Sequence, residues 1–248
     1  MSFKSKKQRL DLLLVERGLA PSRAKAQALI LAGQVVVGDQ RVDKPGAPVL
    51  FDAELRLKGE VLPFVSRGGL KLEGALKTLG LDVANAVAAD IGASTGGFTD
   101  CLLQRGARRV YALDVGYGQL HEKMRTDPRV ISRERVNARY LTEAELPEPL
   151  DVLVIDVSFI SLKLVLPAVL LRLKVGGLLV ALVKPQFEAG RENVGKGGVV
   201  RDVAARKAAI DGVVEFARAA GLEVIGLLDS SITGPAGNLE ALLAARRL

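Results

Sequence analysis

The sequence predicts an α/β protein: a doubly wound, mainly parallel sheet preceded by a small α+β unit. Three observations carry that prediction. From Ser66 onward, short apolar runs alternate with stretches of helical spacing, the pattern of βα units. Asp90-Ile-Gly-Ala-Ser-Thr-Gly-Gly-Phe-Thr99 then sets an acid and a glycine turn between a buried run, Ala86-Val-Ala-Ala89, and helical spacing from Phe98 to Gln104. Such a strand–turn–helix connection is how these sheets build a ligand pocket. Finally, Arg109-Val-Tyr-Ala-Leu-Asp114 reads as the next strand, ending in a carboxylate about 20 residues past the glycines, where such folds contact ribose hydroxyls.

The N-terminal unit begins with a short amphipathic helix, Leu10 to Arg17, stopped by Gly18. A second helix starts after Pro21, with Ser22 as its N-cap and Ala24, Ala28, Leu29 and Ile30 spaced for a buried face. Gly33 ends it. Arg23 and Lys25 put cations at that helix's N-terminus, against the macrodipole, so a bound phosphate would relieve the conflict. Val35-Val-Val37, a tight turn at Gly38-Asp39, Lys44-Pro45 and the alternating Ala53–Lys58 complete the unit. The expected division is residues 1–60, a linker over 61–65 containing Pro63, and a second domain over 66–248. In that domain strands are expected near 86–90, 109–114, 151–156, 178–184 and 223–229, with a last one from about 239. Helices are expected near 70–80, 97–105, 161–173 and 203–220. Two glycine-rich loops, Glu188 to Asp202 and Thr233 to Gly237, follow predicted strands and read as lids over the crevice.

The pocket suggests its ligand. Gly92, Gly96 and Gly97 would let a ligand lie against backbone, and the following helix start turns N–H groups toward it. The leading Asp90 would repel a pyrophosphate and suits an ammonium or sulfonium group. With Asp114 on a ribose, an adenosine-type cofactor carrying positive charge fits, S-adenosylmethionine better than NAD.

Composition narrows the class. Of 248 residues, one is cysteine, Cys101, and one is histidine, His121. An internal disulfide is excluded, a reducing cytoplasm fits, and neither a His-based relay nor a metal cluster can be built. Cys101 reads as a small buried apolar residue. No signal peptide is read at the N-terminus, and the most apolar stretch, Leu164 to Val183, is broken by Pro167, Arg172, Lys174 and Gly176-Gly177. Residues 1–71 carry 13 Lys or Arg against 7 acids, whereas the rest carries 22 against 21. Charge so concentrated points to a polyanionic partner.

Four ionisable residues fall where the reactive edge of an open sheet lies, at the carboxyl ends of strands. Asp156 ends Val152-Leu-Val-Ile-Asp156 and Lys184 ends Leu178–Lys184; burial cost makes them plausible partners. Lys71 precedes the domain's first helix, and Glu240 begins the last strand, whose start lies on the same edge if that strand is antiparallel. Spacing alone leaves open whether the four act together or are separate ion-pair residues on a polar rim.

The N-terminal residues Arg9-Leu-Asp11, Ser22-Arg23-Ala24, Gly33-Gln-Val35, Val37-Gly38 and Val42-x-Lys44-Pro45 resemble the S4 RNA-binding domain. Ser66-Arg-Gly-Gly-Leu-Lys-Leu72, Asp90–Thr99, Asp114-Val-Gly-Tyr-Gly-Gln119, Asp156-x-Ser158-Phe-Ile-Ser161, Lys184-Pro-Gln-Phe-Glu188 and Gly237-Asn-x-Glu240 resemble the FtsJ-type 2′-O-ribose methyltransferases. That order of domains is similar to the TlyA/haemolysin A family of ribosomal RNA methyltransferases. The resemblance implies a Rossmann-like, S-adenosylmethionine-dependent methyltransferase domain with a seven-stranded sheet, its last strand antiparallel. It implies Lys71, Asp156, Lys184 and Glu240 as a K-D-K-E catalytic set. Cofactor contacts are expected from Asp90, Gly92, Ala93, Ser94, Thr95, Gly96, Gly97, Phe98, Asp114, Val115 and Asp156, and RNA contacts from Arg9, Arg23, Lys25, Lys44 and Arg67. Ala241 departs from the family's usual aromatic, which would loosen packing beside Glu240. The family targets cytidines. The chain stops at Leu248, without the C-terminal extension of members that also modify the small subunit, which leans toward the large subunit.

A 2′-hydroxyl is a poor nucleophile until deprotonated or held as an oxyanion, so Lys184 would serve either as a base of lowered pKa or as a fixed cation. Lys71 and burial would lower that pKa; Asp156 and Glu240 would raise it. No metal is required, and a cytoplasmic monomer acting on ribosomal RNA or ribosomal subunits is expected. Two alternatives are a non-catalytic ribosome-assembly factor and a membrane-active haemolysin.

Overall fold

The computed structural model describes residues 7–38, 40–57, 62–234 and 237–248. Asp39, Lys58, the first residue of the expected linker and the middle of the 233–237 loop therefore lie outside the described residues. The chain divides into two compact units, Met1–Leu62 and Pro63–Leu248.

The first unit comprises β1 (Lys7–Arg9), α1 (Leu10–Glu16), α2 (Arg23–Leu31), β2 (Val35–Val37), β3 (Gln40–Arg41), β4 (Pro48–Leu50) and β5 (Leu55–Leu57). β1 pairs with β4, and β2 pairs antiparallel with both β3 and β5. Ser22 caps α2, its Oγ accepting from Lys25 N at 3.3 Å. The buried face of α2 is Ala26, Leu29 and Ile30, packed on Leu10, Leu13 and Leu14 of α1. Ala24 and Ala28 are exposed instead. Alanine spacing says little about which stripe is inward, because burying a methyl gains little beside burying Leu or Ile.

The second unit comprises α3 (Gly68–Thr78), β6 (Val87–Ile91), α4 (Gly97–Gln104), β7 (Arg109–Leu113), α5 (Glu122–Arg125), β8 (Val130–Arg133), β9 (Leu150–Ile155), α6 (Leu162–Val169), β10 (Leu173–Val183), α7 (Val203–Ala219), β11 (Leu222–Asp229) and β12 (Ala241–Arg247). Its sheet has seven strands in the order β11-β12-β10-β9-β6-β7-β8. β10, β9, β6, β7 and β8 run parallel, and β12 is antiparallel to β10 and β11. Each face of the sheet has its own core. Leu72, Leu76, Phe98 and Leu102 of α3 and α4 cover one face, while Leu162, Val165, Leu166, Ile210 and Val213 of α6 and α7 cover the other. This is the doubly wound arrangement expected from the alternation. The sequence reading omits β8 and α5. β8 is an edge strand whose half-buried Val-Ile-Ser-Arg run lacks a buried strand's apolar signature, and α5 is a single turn.

Topology sets the site. Parallel strands bring Asp90, Asp114, Asp156 and Lys184 to one sheet edge, and the reversed direction of β12 brings Glu240 there too. Ala241 is buried and Glu240 almost wholly covered, so the missing aromatic leaves no opening beside the acid.

Candidate active site

A cavity of about 590 Å³ lies at that edge, within the usual range for small-molecule sites. Its wall includes Lys71, Asp156, Lys184 and Glu240 together with Asp90, Gly92, Ala93, Ser94, Thr95, Gly97 and Phe98. The four ionisable residues thus share one site, as two ion pairs. Lys71 stands inside the first turn of α3 rather than ahead of the helix, because the helix already begins at Gly68. Its Nζ lies 2.5 Å from Glu240 Oε2, and Lys184 Nζ lies 2.6 Å from Asp156 Oδ1. Lys184 also donates to Ser158 Oγ at 2.8 Å. Ser158 belongs to the Asp156-x-Ser158 motif, but its role is visible only once β9 and β10 are seen as neighbours.

Asp90 is fully buried at the end of β6. Its Oδ2 accepts from Thr99 N at 2.9 Å and Thr99 Oγ1 at 2.7 Å, whereas Oδ1 is buried without a hydrogen-bond partner. Burial pushes its pKa up to about 7; the Thr99 hydrogen bonds oppose this, and the carboxylates of Asp156 and Asp114 add to it. An orphaned buried carboxylate oxygen on a cavity wall suits a cationic ligand group. The acid is worth testing through stability. Asp90 binds its proton more tightly in the folded than in the unfolded chain, so its contribution is fully present below the unfolded pKa near 3.8 and is lost as pH rises toward 7. Asp90→Asn escapes that loss. Its melting temperature relative to wild type should improve by about 5 °C or more between pH 5 and pH 8.5; a difference independent of pH would refute the assignment.

The glycines serve the chain as much as a ligand. A Cβ on Gly92 (φ +83°) would sit 2.5 Å from the Asp156 carbonyl oxygen, and one on Gly97 would sit 2.3 Å from Ser66 Oγ. Gly96 (φ +91°) is closed off by Met124 and Leu120. The turn thus packs closely against the end of β9, α5 and the Ser66–Gly69 segment, while Gly92 and Gly97 also line the cavity. Asp114 lines a smaller cleft that shares Ala93 and Ser94 with the main cavity, and its carboxylate accepts from Ser94 N (2.8 Å) and Gly116 N (2.7 Å). Gly96, Asp114 and Val115 do not line the main cavity, and Val115 is exposed.

Sequence reading missed several features. Phe159, in left-handed backbone at φ +64° and 91% exposed, stands at the cavity with its ring centroid 5.3 Å from that of Phe187. Asn238 is buried in the wall. By contrast, the glycine-rich 188–202 loop, which the sequence places beside the crevice, does contribute Val194, Gly197 and Gly198 to the same wall. Arg67, expected as an RNA contact, also lines this cavity.

In the first unit, Asp11 is buried at the α1 start and accepts from Arg9 (2.9 and 3.0 Å), Arg23 (2.9 Å) and Gln27 (2.9 Å). Arg9 foremost, with Gln27 and Arg23, outweighs burial and holds this carboxyl well below the usual carboxylate range. The conflict at the α2 N-terminus is thus already met by an acid. Arg9 and Arg23 remain 46% and 54% exposed, and Lys25 and Lys44 face solvent. Cys101 is buried, and burial raises its thiol pKa. His121 is exposed, its Nδ1 accepting from Lys123 N. Among the described residues, no group of three or more His, Cys, Asp or Glu side chains is placed to hold a metal, and no helix is long and apolar enough to cross a membrane.

Fold and site together define a methyltransferase-type α/β domain preceded by an RNA-binding module. The FtsJ-like methyltransferase family matches residues 64–247 and the S4 domain matches residues 8–55, so the chain belongs to the FtsJ-like methyltransferases and carries an S4 domain. YqxC of Bacillus subtilis is 52% identical over 96% of this chain and 85% of its own length. The 16S/23S rRNA (cytidine-2′-O)-methyltransferase TlyA of Mycobacterium tuberculosis is 44% identical over 98% of this chain and 91% of its own. A solved Streptococcus thermophilus protein bearing the hemolysin name superposes with a TM-score of 0.75 at 47% identity, covering 98% of this chain and 89% of that one.

Proposed function

We propose that this protein transfers a methyl group from S-adenosylmethionine to a ribose 2′-hydroxyl of a ribosomal RNA cytidine. The observation that supports this best is the convergence of two lysine–carboxylate pairs with the Asp90–Thr99 turn in one cavity. Asp90, Gly92–Phe98, Asp114, Val115 and Asp156 would hold the cofactor, with the free Asp90 oxygen toward its charged portion and Asp114 toward its ribose. S-adenosylmethionine, when bound, supplies an electrophilic methyl group.

The chain's own residues prepare the acceptor. Lys184, oriented by Asp156 and Ser158, favours the 2′-oxyanion or receives its proton. Lys71 and Glu240 fix the neighbouring wall, and Phe159 offers a face on which an unstacked base can lie. The half-exposed guanidiniums of Arg9 and Arg23, held by Asp11, together with Lys25 and Lys44, present cations to RNA phosphates. Arg67 would meet RNA at the cavity itself. The protein would act as a cytoplasmic monomer. The large subunit is the first substrate to test, because 23S rRNA figures in the names of the TlyA relatives from both M. tuberculosis and Campylobacter jejuni.

Incubation with tritiated S-adenosylmethionine and ribosomal subunits lacking the modification tests the reading. Label at a cytidine 2′-O supports it; cofactor binding without label on either subunit or on free rRNA would leave a non-catalytic RNA-binding role. Lys25→Ala/Lys44→Ala should weaken RNA binding about 10-fold at moderate salt and flatten its salt dependence by about two phosphate contacts. An unchanged salt slope would remove this face from the interface.

A further inference from the structure

We propose that Asn238 is a positioning residue: its side-chain amide latches the 189–201 strap against the cavity and holds the acceptor side of the site in shape. The catalytic half of this inference rests on the methyl-transfer reading above; the latch itself does not.

The strap leaves β10 through Lys184. It is rooted at Glu188, whose carboxylate accepts from Ser161 Oγ at 2.6 Å and Leu162 N at 2.7 Å. At its far end Asp202 caps α7, accepting from Ala205 N at 2.8 Å. Between these anchors it folds on itself, with Gly195 N donating to Val199 O and Gly198 N to Gly195 O, each at 3.0 Å. Gly197 (φ +82°) and Gly198 (φ +75°) turn the chain in left-handed backbone with open space around them. Among the described hydrogen bonds, those tying residues 194–200 to another element both run to Asn238. Val200 N donates to its Oδ1 at 3.0 Å, and its Nδ2 donates to Gly198 O at 2.8 Å.

Asn238 suits this task as few residues could. It is 2% exposed, so both of its amide groups need partners, and the strap supplies them. Aspartate could accept from Val200 N but could not donate to Gly198 O; an apolar residue would leave both strap groups unpaired. Asn238 also accepts from Gly234 N at 2.9 Å through its backbone oxygen, in the loop that brings Ile232 and Thr233 to the cavity. One residue therefore ties together two loops of the wall. It does so two positions before Glu240, whose partner is Lys71. The strap follows Lys184 directly in the chain, whereas all the proposed cofactor residues but Asp156 come from β6, β7 and their turns. Releasing the strap should thus disturb RNA turnover more than cofactor binding.

Asn238→Ala and the near-isosteric Asn238→Asp test this in the full-length protein by three measurements: amide hydrogen exchange at Val200, S-adenosylmethionine affinity, and steady-state transfer to ribosomal subunits. The expected result is Val200 exchange at least ~10-fold faster in the Ala variant, kcat/KM for RNA down at least ~10-fold in both, and cofactor Kd within about threefold of wild type. Unchanged exchange in the Ala variant overturns the latch. Faster exchange with unchanged kcat/KM overturns the positioning role, and an equal loss of cofactor affinity overturns its assignment to the acceptor side. If the wild type transfers no methyl group, the functional reading falls while exchange still decides the latch.

Discussion

Replacing Lys184 with alanine should lower turnover about 10³-fold while leaving S-adenosylmethionine affinity within about threefold. The ammonium sits 2.6 Å from Asp156 Oδ1 and donates to Ser158 Oγ, with the side chain 12% exposed. A cation so placed is held before any substrate arrives, and preorganised charge is what stabilises an anion developing during reaction. The second lysine cannot stand in, because Lys71 is committed to Glu240. Loss of a group that acts mainly in the transition state lowers kcat and kcat/KM together. Lys184→Arg separates the two roles open to this residue: a guanidinium keeps the charge but cannot take up a proton. Activity within about 10-fold of wild type in the arginine variant would mark Lys184 as an electrostatic stabiliser, and loss equal to that of alanine would favour proton transfer or strict geometry. An alanine variant that retains a tenth or more of wild-type turnover, with its fold intact by circular dichroism, would remove Lys184 from the chemistry.

Much of this site could be read from the sequence because its parts end runs of buried aliphatic residues. Asp90, Asp156 and Lys184 each interrupt such a run, and a charge that costs so much to bury needs a reason. Alternation of strands and helices gave the sheet, and the sheet's rule for its carboxyl edge gave the place. Apart from the Asp156–Lys184 pair, contacts between distant segments were not legible. Asp11 lies in a short helix beside Arg9, yet nothing local says that Arg23 and Gln27 will converge on it. The Asn238 bonds to Gly198 and Val200 span about 40 residues and involve backbone atoms, which carry no residue-type signature. Phe159 was hidden for a related reason: exposure of an aromatic ring depends on the left-handed backbone at that position. β8 was lost because an edge strand is half solvated and its pattern fades.

The Lys71–Glu240 pair should govern stability as strongly as Lys184 governs rate. The two charges lie 2.5 Å apart with side chains 10% and 1% exposed, and they join the first turn of α3 to the start of β12. Removing one partner from such a pair leaves the other charge buried without compensation, at a cost of about 3–5 kcal/mol. For a unit of this size that corresponds to a melting temperature roughly 10 °C lower. Glu240→Ala and Lys71→Ala should each show this loss. Lys71→Met with Glu240→Leu should recover most of it, since an apolar pair of similar volume avoids the desolvation cost of both ions. Methyl transfer should not return with the fold. Recovery of stability without activity would mean that the charges are kept for the reaction, because packing alone can be met without them. A double variant as unstable as either single one would instead assign the pair a structural task that apolar residues cannot perform. Single variants within about 1 kcal/mol of wild type would show that water reaches these charges, and the pair would then contribute too little to stability to explain why two ions occupy this wall.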